Sequence, residues 1–429
     1  MRLIVLFSIG LTALALTACS QLVGTPSAQV TADDTLTATP AATPTDLPVQ
    51  PQASQPVTEP SATPSPSPVA TATPALLPEE PLPPGAAQFK TDFSKHSVPY
   101  SEILSGGPTK DGIPAIDEPH FISVDEADAW LKPQEPVILF QLGSDVRAYP
   151  LQILMWHEIA NDIVNDVPVT ITFCPLCNTA IAFERTLDGQ VLDFGTTGRL
   201  RFSNLVMYDR QTESWWQQAG GDAIAGEFTG RQLKFLPASV IAWADFKETY
   251  PDGQVLSRQT GYTRNYGHNP YAGYDDINRP PFLYRGPETP GALPPMARVL
   301  TIDLNGEAVA YPYHVLQEAH VVNDTVGGVL LAVFWDAGTA SALDANTVWE
   351  GRDVGTVNAF SRDLNGQSLH FSFDDDKITD EETGSEWNVL GYATSGPLAG
   401  SQLTPVVGIN HFWFSWAAFK PETRIYQSS

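Results

Sequence analysis

From Gln88 onward the chain is built of short apolar runs broken by Gly, Pro and Asp. The run Val137-Ile138-Leu139-Phe140-Gln141-Leu142, a turn at Gly143-Ser144 and a second run ending in Ala148-Tyr149-Pro150 predict a β-hairpin. The spacing over 151–161 predicts a short helix, and the continuous apolar run 167–173 a buried strand. Further strands are expected at 181–185 and 192–195, and a Trp-bearing helix at 239–250.

The same pattern is then repeated. Val299-Leu300-Thr301-Ile302-Asp303-Leu304, a turn at Asn305-Gly306 and Ala310-Tyr311-Pro312 repeat the hairpin. A helix at 313–322, strands at 329–335 and 368–373, and a helix at 411–419 are expected to follow. Asp209, Thr212, Ser214 and Trp216 reappear as Asp380, Thr383, Ser385 and Trp387. This self-similarity predicts two homologous units, roughly 115–260 and 297–429, packed together as a β-rich α+β fold.

The N-terminal end has a different texture. Met1-Arg2 precede an apolar stretch, 3–16, too short to span a bilayer well. Leu16-Thr17-Ala18-Cys19 reads as a lipobox, which predicts a signal peptide at 1–18 and lipid on the Cys19 thiol. Residues 19–88 repeat Pro, Thr, Ser and Ala with few large apolar residues, so they are expected to be a disordered tether. The folded part then divides into 89–296, which includes an inter-unit loop, and 297–429. Such a protein is expected in the cell envelope, lipid-anchored on the extracytoplasmic face of the outer or the cytoplasmic membrane. The formal net charge of −26 argues against nucleic acid as a partner, because phosphate contacts need Lys and Arg.

The first unit carries Cys174-Pro175-Leu176-Cys177, where the second has Asp336 and Thr339 in register. The pair is therefore dispensable for the fold unit and belongs to something that only the first copy does. Of three cysteines, Cys19 is assigned to lipid, leaving these two in an oxidising compartment. Three readings remain open. The thiols bind copper or zinc, with His157, His268 or Met207 completing the ligand set. They exchange electrons as a dithiol and disulfide. Or they form an inert local disulfide, whose short loop gives little entropic benefit.

His157 lies on the expected helix, where Glu158 or Asp162 is placed to orient its ring. Met207 falls in an apolar run that favours core packing. Asp209 and Glu213 are candidates for an acid/base pair, but the recurrence of Asp209 as Asp380 favours a structural turn. Arg210 has no identical counterpart and is a candidate for a role confined to the first unit.

His157-Glu158-Ile159-Ala160-Asn161-Asp162, Cys174-Pro175-Leu176-Cys177, Met207-Tyr208-Asp209-Arg210-Gln211-Thr212 and Phe412-Trp413-Phe414-Ser415-Trp416-Ala417-Ala418-Phe419 together resemble the bacterial domain-of-unknown-function family 3179. The resemblance covers nearly all of 112–426. Asn178 departs from it, since the family usually has Gly after the second Cys. The resemblance implies a domain extent and no activity. The expectation is a Cys-x-x-Cys centre that binds copper or zinc or exchanges thiols. The reading from another class is a surface module that binds a glycan or a protein through its Trp and Tyr clusters.

Overall fold

The computed structural model describes residues 80–428. The expected signal peptide, the lipid-bearing Cys19 and most of the tether lie outside the described residues. Residues 80–88, expected as tether, belong to the fold: Ala86–Gln88 form a 3-10 turn, and the Glu80 carboxylate accepts the Tyr100 N–H at 2.6 Å. Twenty-nine strands and five α-helices among the described residues make this a β-rich α+β protein.

The first half opens with the expected hairpin, β1 (Pro136–Leu142) and β2 (Asp145–Pro150), turning at Gly143 with φ +60°. Helix α1 (Leu151–His157) follows, shorter than its apolar spacing suggests. It stops because Glu158 adopts left-handed φ +58° and Ile159 enters β3 (Ile159–Val164). Strand β3 pairs antiparallel with β4 (Val167–Cys174), which pairs with β5 (Thr179–Glu184). A second antiparallel sheet contains β6 (Phe194–Arg201), β7 (Asn204–Asp209) and β8 (Trp215–Gln217). The expected helix at 239–250 is split: Ser239–Ala242 is β9, paired with β1, and only Trp243–Thr249 is helical, as α2. Pairing with the hairpin holds the first four residues extended.

The second half runs through the same order of elements. Strands β10 (Arg298–Leu304) and β11 (Glu307–Pro312) form its hairpin, with Asn305 and Gly306 both at positive φ as a tight hairpin turn requires. Helix α3 (Tyr313–Ala319) leads into β12 (Val321–Val326), β13 (Val329–Asp336) and β14 (Thr356–Ser361), one antiparallel sheet. Strands β15 (Phe371–Asp374), β16 (Lys377–Asp380) and β17 (Glu386–Trp387) form a meander that matches the sheet of β6 to β8. Bulges fall at Trp215/Trp216 in one and Glu386/Trp387 in the other. Here too the final helix is preceded by a strand, β18 (Ile409–Phe412), before α4 (Trp413–Ala417).

These last strands cross between the halves. Strand β9 packs on β14, and β18 packs on β5. Phe412 and Phe414 from the second half therefore sit in one apolar cluster with Phe140, Tyr149, Ile171 and Phe173 from the first. Each large buried side chain of this kind contributes roughly 1.5–3 kcal/mol. The seam is thus part of the core.

Candidate functional site

Strand β4 ends at Cys174, and a turn through Pro175 and Leu176 brings Cys177 back beside it. The Cys177 N–H donates to the Cys174 carbonyl at 3.2 Å, and the two Sγ atoms stand 2.8 Å apart. Asn178, where glycine was expected, takes φ +52° without breaking the turn. Both cysteines are buried, in an apolar cluster with Ile159, Leu205, Met207 and Ile409. Cys177 Sγ contacts the Ser203 carbonyl at 3.4 Å. Burial, then the neighbouring Cys174, push the Cys177 thiol well above its ordinary pKa, and the charge of Glu158 adds to this.

Glu158 is the titratable neighbour that matters. Its carbonyl accepts the Phe173 N–H at 2.8 Å, which fixes it one rung from Cys174. Only 9% of its surface is exposed, and its carboxylate has no hydrogen-bond partner among the described residues. Burial alone raises its pKa to about 8. A non-glycine residue at φ +58° in a buried polar role is the kind of strain that collects at functional sites.

The inter-unit loop closes over this group. Tyr274 donates its hydroxyl to the Leu176 carbonyl, inside the Cys-x-x-Cys turn, at 3.0 Å. Tyr271 is packed nearby, where burial and the charges of Glu158 and Cys174 raise its phenol pKa. The loop is itself held by the second half: Gly273 and Tyr274 donate their N–H groups to the carbonyls of Asp344 and Leu343 at 2.6 and 3.1 Å.

The second half also touches the turn from the other side. Phe412 N–H donates to the Cys177 carbonyl at 2.8 Å. Thr179 Oγ1 donates to that carbonyl at 3.2 Å and bonds His411 Nδ1 at 2.9 Å. His411 is fully buried, its Nε2 has no partner among the described residues, and desolvation lowers its pKa to about 3, so the ring is neutral.

The remaining residues singled out in the sequence fall elsewhere. His157 is buried with both ring nitrogens engaged, Nδ1 with the Pro114 carbonyl and Nε2 with the Tyr266 hydroxyl, each at 2.7 Å. Burial lowers its pKa to about 4. Neither Glu158 nor Asp162 orients it; Asp162 instead accepts from Arg147 and Tyr149. His268 lies on the loop, its N–H donating to Asn265, in a pocket with Trp130 and Trp349. Met207 is wholly buried and packs in the core. Asp209 is saturated by the Thr212 N–H at 2.6 Å and the Trp216 indole at 2.9 Å, the bonds Asp380 makes with Thr383 and Trp387. Arg210 pairs with Asp111 and Asp117.

The expected copper or zinc set of Cys174, Cys177, His157 and His268 is therefore not gathered in one place. Among the described residues no group of three His, Cys, Asp or Glu side chains is arranged to hold a metal ion. What the fold does gather is two thiols, a buried carboxyl and two phenols. Glu158 is the residue whose part sequence reasoning misread, as an orienter of His157. His411, Tyr271 and Tyr274 were passed over. The signal available for the first was a lone carboxylate within the apolar stretch 153–160, and for His411 an imidazole inside 409–419.

No curated protein and no solved structure matches this chain. A family profile described as a protein of unknown function, DUF3179, matches residues 110–423, which include both halves of the fold and every residue of the thiol site. The chain belongs to the DUF3179 family.

Proposed function

We propose that Cys174 and Cys177 form a dithiol–disulfide couple, in a protein tethered by lipid on Cys19 to the extracytoplasmic face of a membrane. The observation that carries this reading is the pairing of two sulfurs 2.8 Å apart with a buried carboxyl whose pKa is about 8. A thiolate and a carboxylate in one buried site repel, so below about pH 8 the carboxyl and the thiol each keep their proton. Ionised Glu158 takes the proton as a thiolate forms and returns it to the departing R–S⁻, so exchange quickens as pH rises through about 8.

The reaction is exchange with a disulfide R–S–S–R. One thiolate attacks a sulfur of the partner, forming a mixed disulfide and releasing one R–S⁻, which leaves as R–SH with the proton. The second cysteine attacks the mixed disulfide, closes the Cys174–Cys177 bond and releases the second R–SH. Two thiols are oxidised and one disulfide is reduced. Tyr271 and Tyr274 cover the sulfurs, so a partner reaches them when the loop moves aside.

The shared order of elements supports a duplication in which only the first copy kept this chemistry. In the second, Asp336 and Thr339 stand in place of the cysteines.

The test is a thiol count and a midpoint potential on the purified chain, with elemental analysis alongside. Two thiols titrating as one two-electron couple, lost in Cys174→Ser, are expected. One equivalent of copper or zinc that disappears in the Cys-to-Ser variant would establish the metal reading instead. A disulfide with a potential below about −300 mV would mark an inert link.

A further inference from the structure

A cavity of about 500 Å³ opens between the two halves, and the thiols and their covering tyrosines are not among its lining residues. Phe235 reaches it from the first half, and Leu304, Val407, Ile409, Trp416 and Phe419 from the second. Each wall is held by its own pairing. Phe235 lies on the strand Lys234–Leu236, which pairs with β5, and its ring packs on Phe183 with centroids 4.8 Å apart. Ile409 is on β18, which pairs with β10. Trp416 donates its indole N–H to Thr423 Oγ1 at 2.7 Å, and the Phe419 ring packs on Phe202 at 5.7 Å. Walls pinned separately in this way do not collapse inward, so the cavity is formed in advance.

The polar groups of the lining are already engaged with the protein. The Thr301 hydroxyl donates to the Ile409 carbonyl at 3.2 Å, and the Gln232 amide donates to the Gly220 carbonyl at 2.9 Å. The charges at the rim are answered too. Lys420 pairs with Asp303 at 2.7 Å, and the Asp222 carboxylate lies in the field of Arg201 and Lys420. Water in such a space finds few partners, and an apolar group that displaces it gains free energy.

We propose that this cavity binds a small, neutral aromatic molecule of one or two rings. Its volume suits a ligand of that size. Phe235, Trp416 and Phe419 offer faces and edges to a ring. Each rim charge has its counter-charge, so an ionic group brought in would be desolvated without a partner to repay it. The site is independent of the thiol reading, since it uses neither cysteine and its test reads binding alone.

The experiment is calorimetric titration of the purified full-length chain with tryptophol, a neutral indole, against indoleacetate and tryptamine, its anionic and cationic counterparts of like size. Tryptophol is expected to bind with a negative heat-capacity change and with an affinity that added salt does not lower. Both charged counterparts are expected to bind about tenfold more weakly or worse. Leu304→Trp, at a half-buried rim position, puts an indole into the cavity and is expected to weaken tryptophol binding by about tenfold or more. Phe419→Ala removes one ring from the wall, is expected to weaken binding several-fold, and serves if Leu304→Trp fails to fold. Failure of tryptophol to bind overturns the proposal. So does binding of either charged counterpart as tight as that of tryptophol, or full retention of binding in the folded variant.

Discussion

Glu158 and His320 hold the same backbone position in the two halves. Each ends the short helix after the hairpin, at φ +58° and +57°. Each offers its carbonyl to the strand across from it, to Phe173 N–H and Trp335 N–H, both at 2.8 Å. The residue after each of these donors is Cys174 in one half and Asp336 in the other. A titratable pair therefore occupies one place twice, as carboxyl and thiol in the first half and as imidazole and carboxyl in the second. The charge of His320 opposes the upward push that burial gives Asp336.

Glu158 makes stability depend on pH in a defined direction. Its pKa is raised from 4.5 to about 8 on folding, so the folded chain holds the extra proton between those values. Its contribution is complete below about 4.5 and is lost as pH rises through 8, at up to about 1.4 kcal/mol per pH unit. Glu158→Gln is expected to flatten the decline in melting temperature over that window. An unchanged profile would sink the assignment of a buried, ionisable Glu158.

The acid side carries the opposite sign. His157 and His411 are lowered to about 4 and about 3, so the unfolded chain binds their protons first. Their contribution is present above about 6.5 and is lost as pH falls through those lower values. His411→Gln should soften acid unfolding between pH 6 and 3, measured by tryptophan fluorescence. Steeper unfolding in the variant would contradict a neutral, desolvated imidazole.

Access to the sulfurs should be gated by the loop. Tyr274→Phe removes the bond to the Leu176 carbonyl, worth about 1 kcal/mol, and should speed alkylation of the reduced thiols by about fivefold. Rates equal to those of the parent protein would show that the sulfurs are reached by another route.

Asp209 and Asp380 should behave as twins. Each accepts from a threonine N–H and an indole N–H, so Asp209→Ala and Asp380→Ala are each expected to cost about 2–4 kcal/mol in denaturant titrations. The midpoint potential of the thiols should not move in Asp380→Ala. A catalytic Asp209 would instead abolish exchange while leaving stability intact.

The hairpins, their turns and the recurrence of the Asp-Thr-Ser-Trp turn were legible because they are local patterns. Val137–Leu142 is a short apolar run that meets a glycine turn at Gly143 whatever it packs against. The helix limits were less legible, since 239–242 and 409–412 are too short and mixed in polarity to tell helix from strand, and only their pairing with the hairpins decides. The cysteines announced themselves by spacing. Their surroundings did not, because Tyr274 and His411 reach Leu176 and Thr179 from far along the chain. His157 looked like a ligand because nothing nearby in sequence reveals that Pro114 and Tyr266 already occupy both nitrogens.

The bond from Phe412 to the Cys177 carbonyl also orders events in time. A chain made N-terminus first can form the turn at Cys174 and Cys177 long before β18 emerges. Until then the pair lacks its covering strand and the loop that the second half steadies. Under the export and thiol chemistry proposed above, the pair would meet the oxidants of its compartment during that interval, and its first redox state would be set while the protein is half made. Completion of the C-terminal strand then closes the site over whichever state it finds.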